Sequence, residues 1–144
     1  MIVAVQERDK EAEVFLDELF SRPSGAEGDM TQALLLVDVQ NDFFPGGALP
    51  APDAHVIVHP MNRMIEAFRS HARPILVTRD WHPADHCSFA DQGGPWPPHC
   101  VQETPGAAFH PDIDFPPDVI VVSKALSQSE DAYSGFEGTD LEAH

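Results

Sequence analysis

Three short apolar runs in this chain each end in an ionisable residue. Ala33-Leu34-Leu35-Leu36-Val37 meets Asp38, Ile75-Leu76-Val77-Thr78 meets Arg79-Asp80, and Val119-Ile120-Val121-Val122-Ser123 meets Lys124. A charged group at the end of a buried strand costs desolvation unless it is paired or employed, so core packing alone does not require this pattern. Asp38 offers an acid/base group and Lys124 a cation, and the two together could flank one nucleophile. Singly, each has a plainer reading: an aspartate opening the turn after a strand, and an exposed lysine.

The second run leads into Asp80-Trp81-His82, with His86 and then His99 further on, the last behind a Trp96-Pro97-Pro98 turn. Alternate residues of an extended chain point the same way, so Asp80 and His82 share a direction if the strand runs on. One carboxylate and two imidazoles with positions left open suit Zn²⁺, Fe²⁺ or Mn²⁺ in a catalytic rather than a structural site. The Asp-x-His spacing alone is weak, since two solvated loop residues would look the same; the clustering of histidines strengthens it. His86 reads equally as a fourth ligand or as a capping residue.

The elements that must position these residues follow from the pattern of apolar side chains. Continuous apolar runs of four or five residues suit strands buried on both faces, as in a parallel sheet. Between the first two, Ile57, Met61, Met64, Ile65 and Phe68 recur at helical spacing. Asp53 is a candidate N-cap, and Pro60 is tolerable only in the first turn, which starts the helix near Val56–Val58. His71-Ala72-Arg73-Pro74 ends it. Strand, helix, strand and a long Pro-rich crossover to a third strand predict an α/β fold with a parallel sheet, whose function sits at the carboxyl ends of its strands.

Residues 1–29 read differently. Ala12, Phe15, Leu16, Leu19 and Phe20 line one face of a charged helix over Glu7–Arg22, and a Pro- and Gly-containing linker precedes Met30. The preferred reading is an extension upstream of a domain that opens at Met30; a docking helix for a partner is the alternative. The expected organisation is an N-terminal helical extension and linker over 1–29 and one α/β domain over 30–144.

Formal net charge is −16, so phosphate backbones and anionic membranes would be repelled, and neither nucleic acid nor a membrane is an expected partner. A small molecule is the expected ligand, and homo-oligomerisation stays open. The first residues lack a basic n-region and apolar h-region, and no apolar run approaches membrane-spanning length, which predicts a cytoplasmic protein with Cys87 and Cys100 as reduced thiols.

At this point four segments become specific together. Val37-Asp38-Val39-Gln40-Asn41-Asp42-Phe43-Phe44-Pro45-Gly46-Gly47-Ala48-Leu49 resembles the opening of the nicotinamidases, in the isochorismatase-like hydrolase superfamily. Thr78-Arg79-Asp80-Trp81-His82-Pro83 with Asp85-His86-Cys87-Ser88-Phe89 resembles that family's metal segment. Trp96-Pro97-Pro98-His99-Cys100-Val101, followed by Gly106-Ala107 and Phe109-His110, is similar to the segment carrying its last metal histidine. Lys124 and Tyr133-Ser134-Gly135-Phe136 match the catalytic-lysine region and the motif after it. The match runs from about Met30 to the end.

The resemblance implies a three-layer Rossmann-like parallel sheet and a metal-assisted cysteine amidase that converts nicotinamide to nicotinate and ammonia in NAD salvage. It implies that Asp38 accepts the nucleophile's proton and that Lys124 lowers the nucleophile's pKa. Asp80, His82 and His99 would hold a divalent metal, Zn²⁺ first with Fe²⁺ or Mn²⁺ behind it, and the pyridine nitrogen would displace one of its waters. His86 matches a position that is a ligand in some members only. Phe43 and Trp96 would wall the pyridine ring, with Tyr133 a weaker candidate; core filling is the alternative for both of the first two.

One part of the pattern is missing. In the family the cysteine nucleophile follows a fourth strand, at the start of a helix, and the oxyanion-hole amides lie there too. The sequence given stops at His144, so the expectation is a domain incomplete on its C-terminal side and inactive as it stands. Cys87 and Cys100 read as structural, because a triad needs its nucleophile within hydrogen-bond reach of Asp38 and Lys124. Two rivals remain: another hydrolase or lyase of the superfamily, against which the metal segments argue, and a non-catalytic metal- or pyridine-binding module.

Overall fold

The computed structural model describes Phe20 and residues 32–144. The helix expected over Glu7–Arg22 and the linker after it otherwise lie outside the described residues. Phe20 itself is helical; its ring stacks on His71 with centroids 3.9 Å apart and meets Phe68 edge-on.

Three strands form one parallel sheet in the order β1-β2-β3, with β1 at Leu34–Val37, β2 at Ile75–Asp80 and β3 at Ile120–Lys124. β2 is central and its first four residues are buried, as expected of a strand covered on both faces. The register pairs Val37 with Thr78 and Asp80 with Lys124. A parallel ladder brings equivalent strand ends to the same edge, so Asp38, Asp80 and Lys124 arrive at one rim. β2 takes in Arg79 and Asp80, two residues beyond its apolar run, because β3 continues to pair with them.

Helix α1 spans Val58–Ser70, so Pro60 sits in its first turn, where the missing N–H would have been unsatisfied anyway. Asp53 is not the side-chain cap that its position suggests. It adopts a left-handed conformation (φ 56°) before a 3₁₀ turn, Ala54–Ile57, that leads into α1, and its carboxylate makes no capping bond. The helix stops at Ser70; Ala72 turns into the left-handed region (φ 50°) and Pro74 follows.

Strand alternation divides the sheet's two faces. Leu36, Ile75 and Val77 pack with Ile65 and Phe68 of α1, and with Val39, Phe44 and Ile113 from the connecting loops. Ile65 and Phe68 are buried almost completely, worth about 1.5–3 kcal/mol each by area. The opposite face carries Leu76, Val122 and Ile120 and is met by Leu141 from a C-terminal 3₁₀ turn. Of the three layers expected, the described residues thus supply a helix on one face and only a short turn on the other. Leu35 and Val37, on that second face of β1, stay exposed.

Among the described residues no strand pairs with the outer edge of β1. An apolar strand with free backbone groups invites self-association. Leu35→Lys should therefore reduce concentration-dependent association in sedimentation velocity, with a stability change within about 0.5 kcal/mol. Equal association of both proteins would show that this edge is not the sticky surface.

The long crossover from Trp81 to Val119 is pinned at three isolated bridges: His82 with Val101, Phe89 with Trp96, and Gln40 with Phe109. These hold the histidine-bearing loops over the carboxyl ends of the strands.

Candidate active site and metal centre

Alternation at the end of β2 sends neighbouring side chains to opposite faces. Arg79 lies over the Trp81 ring and donates from Nε to Ser123 Oγ (2.8 Å), away from the cleft. Asp80 points the other way. His82 Nε2 lies 3.9 Å from Asp80 Oδ1, and His99 Nε2 lies 3.9 Å from Asp80 Oδ2. The three side chains are buried, and their ligand atoms lie within 4.8 Å of one another.

The imidazole tautomers follow from their other nitrogens. His82 Nδ1 is 3.1 Å from the His99 carbonyl, and His99 Nδ1 is 2.8 Å from the Pro97 carbonyl. A carbonyl only accepts, so both Nδ1 atoms carry the proton and both Nε2 atoms turn a lone pair toward Asp80. That is the arrangement by which backbone carbonyls orient metal-binding histidines. Burial lowers the pKa of His82, against the pull of the Asp80 carboxylate, which favours the neutral ring a metal needs. The donor set, one carboxylate oxygen and two imidazole nitrogens, fits a divalent transition ion with open positions.

His86 stands apart. It is fully buried beside His82, with ring centroids 4.4 Å apart, but both of its nitrogens are engaged. Nε2 donates to the Glu130 carbonyl (3.1 Å), leaving Nδ1 to accept from Ser88 Oγ (2.7 Å) and from the Ser88 N–H (3.3 Å). It groups with His82 and Asp131 rather than with Asp80. Ligation by His86 would require it to surrender one of these bonds.

Lys124 Nζ bridges the two carboxylates. It donates to Asp80 Oδ1 and lies 3.2 Å from Asp38 Oδ2, with the Ala132 carbonyl at 3.3 Å. Burial works against its charge, but the hydrogen bond and charge of Asp80, then Asp38, outweigh it and hold the pKa above the ordinary value. Asp38 accepts from Thr78 Oγ1 (2.7 Å) and adopts a left-handed conformation (φ 52°) that turns the chain off β1. Its pKa is raised, by burial first and by neighbouring Asp80, against the opposing charge of Lys124. A carboxylate of raised basicity beside a fixed cation is suited to taking a proton from a nucleophile.

These groups share one cleft of about 340 Å³, lined also by Phe43, Trp96 and Tyr133. Phe43 stands edge-on to His99, with centroids 5.7 Å apart. Neither Phe43 nor Trp96 is core filling: Phe43 is half-buried and Trp96 is 45% exposed. Tyr133 is 94% exposed at the cleft's mouth. Neither cysteine lines the cleft. Cys100 is buried in a left-handed conformation (φ 46°), and burial with nearby Asp80 and Asp42 pushes its thiol pKa up, which disfavours the thiolate a nucleophile needs. Both thiols are free.

Sequence reasoning passed over Gln40, Asp42 and Thr78, which touch the site through hydrogen bonds rather than by lining it. The one available signal was a glutamine three residues past the end of β1, in a stretch otherwise read for its charges.

The Isochorismatase domain model matches residues 32–144. The chain belongs to the isochorismatase family. Within it, the chain is 39% identical over 120 residues to the nicotinamidase of Escherichia coli K12, covering 73% of this chain and 56% of that one. Among solved structures it is similar to the pyrazinamidase of Pyrococcus horikoshii in complex with zinc, with 51% identity and a TM-score of 0.76 over 78% of this chain and 62% of that one. It is also similar to PnC1 from L. infantum in complex with nicotinate, with 38% identity and a TM-score of 0.68 over 74% and 53%. This isochorismatase-family chain thus spans a little over half the length of the relatives it matches.

Proposed function

We propose that this chain carries the metal- and proton-handling half of a nicotinamidase, an enzyme that hydrolyses nicotinamide to nicotinate and ammonia in the cytoplasm as a step of NAD salvage. The observation that carries this is the convergence, in one cleft, of an Asp80–His82–His99 donor set with an Asp38–Lys124 pair. The relatives named nicotinamidase and pyrazinamidase, one solved with zinc and one with nicotinate, support it.

In this reading Asp80, His82 and His99 hold a divalent ion, Zn²⁺ before Fe²⁺ or Mn²⁺, with His86 a further candidate. An ion held there would supply an electrophilic anchor for the pyridine nitrogen, by which the carboxamide would be oriented. Phe43 and Trp96 confine the ring, and Tyr133 stands at the entrance. An amide needs a strong nucleophile and a protonated leaving group. Asp38 takes the proton of an incoming thiol, and Lys124 stabilises the thiolate. The thiolate adds to the carboxamide carbon, the C–N bond breaks, and Asp38 returns the proton to the departing ammonia. Water then hydrolyses the thioester. No cysteine of the chain is placed for the attack, so ring binding is the step these residues can perform alone.

The test uses the 144-residue chain loaded with Co²⁺. Nicotinamide should perturb the cobalt absorption, while ammonia release stays at background. An unchanged spectrum at millimolar nicotinamide would contradict the ring-binding role. Ammonia release abolished by Cys100→Ala would overturn the assignment of that cysteine as structural.

A further inference from the structure

The motif that begins at Asp38 contains two polar side chains with no evident part in the chemistry. Gln40 is completely buried. Its Nε2 donates to the carbonyls of Asp80 (2.7 Å) and Ala107 (2.9 Å), and its Oε1 accepts from the N–H of Asp80 (2.8 Å). Both backbone groups of Asp80 are thus held by one amide. The reason lies in the sheet. β1 pairs with β2 only as far as Val37 with Thr78, and the left-handed turn at Asp38 then takes the chain out of register. Asp80, two residues beyond Thr78, would be left without a partner on that side. The Gln40 amide occupies the vacant ladder position. Buried backbone groups must be satisfied, and an amide is the side chain that supplies both a donor and an acceptor.

Asp42 does the same for the other loop. Its Oδ2 accepts from the Cys100 N–H (2.7 Å) and its Oδ1 from the Ala48 N–H (3.0 Å). Cys100 follows His99 directly and has a positive φ, so this bond fixes the turn that aims the His99 ring. Gly106 lies flat against the carboxylate: a Cβ there would come within 2.2 Å of Oδ2.

We propose that Gln40 and Asp42 are positioning residues for the metal centre. Gln40 fixes the backbone of Asp80 and Asp42 fixes that of His99, so a single segment running on from Asp38 sets both the acid/base group and the spacing of two of the three donors. The inference rests on the metal reading of Asp80, His82 and His99. Partners behind a first shell of ligands typically change metal affinity by about 10- to 100-fold.

The experiment is a Co²⁺ titration of the full chain, followed by d–d absorption, on the wild type, Gln40→Met, Asp42→Asn and Asn62→Ala. Asn62 is the control. Its amide clamps the backbone of Asp112 (2.7 Å) and Asp114 (3.0 Å) in the same manner, away from the cleft. Circular dichroism selects variants that fold, and Asp42→Asn carries the test if Gln40→Met does not. The expected result is a 10- to 100-fold weaker affinity and a shifted d–d band for the folded positioning variants, with Asn62→Ala matching the wild type. Wild-type affinity and spectrum in a folded positioning variant would overturn the inference while leaving the metal reading standing. Equal weakening in Asn62→Ala would overturn it too, by showing a general effect of stability. Failure of the wild type itself to bind Co²⁺ would remove the metal reading, and the inference with it.

Discussion

Replacing His99 by alanine should weaken Zn²⁺ binding by more than about 100-fold, beyond the range typical of residues behind the ligands and equivalent to about 2.7 kcal/mol. His99 is the most informative of the three donors to remove. Asp80 also neutralises Lys124, so its loss would leave a buried ammonium with one carboxylate instead of two. The His99 side chain has no such second duty: its Nδ1 meets a carbonyl of its own loop, and the bond that orients His82 comes from the His99 backbone, which the substitution keeps. Isothermal titration with folding checked by circular dichroism makes the measurement. An affinity within a few-fold of the wild type would place the ion elsewhere.

The second large effect is expected at Lys124. Lys124→Met removes the cation from between two carboxylates that are mostly buried, and breaking a buried ion pair from one side costs about 3–5 kcal/mol. The loss should depend on pH in a definite direction. The folded-state pKa of Asp38 already lies above its ordinary value of 3.8, through burial and Asp80. A group that binds its proton more tightly when folded favours folding at low pH, and that advantage fades as pH rises from the unfolded pKa through the folded one. Without Lys124 the folded pKa rises further and the window widens upward. Urea unfolding should therefore show a smaller deficit for Lys124→Met at pH 5 than at pH 7. Asp38→Asn in the same background should restore part of the stability, since it removes the uncompensated charge. An equal deficit at both pH values would mean that lost packing of the lysine stem, not charge, accounts for the cost.

Much of this could be read from the chain because the signals were local. The apolar runs ending at Asp38, Asp80 and Lys124 mark strands, parallel pairing brings equivalent ends together, and the result is the rim seen in the structure. Pro60 located the helix start for the same kind of reason, a steric rule acting within one turn. Other features depend on register and on tertiary partners. Lys124 was expected beside the nucleophile, yet it is bound to Asp80 as well, because β2 and β3 align those two residues as neighbours. The tautomers of His82, His86 and His99 are set by carbonyls or a serine that the loops bring within reach, and nothing in the spacing of the histidines encodes them. The role of Gln40 was not legible for a similar reason, though the residue itself stood in view: that role exists only because β1 departs from the sheet two residues before β2 ends. The exposure of Leu35 and Val37 on the second face is a property of the assembled strands and not of any one segment.

The most direct test of the central claim is X-ray absorption at the zinc edge of the metal-loaded chain. The account requires a first shell of oxygen and nitrogen at about 2.0–2.2 Å, outer-shell scattering from two imidazoles, and no sulfur at about 2.3 Å, with one imidazole contribution lost in His99→Ala. A sulfur shell, or a spectrum that His99→Ala leaves unchanged, would contradict it.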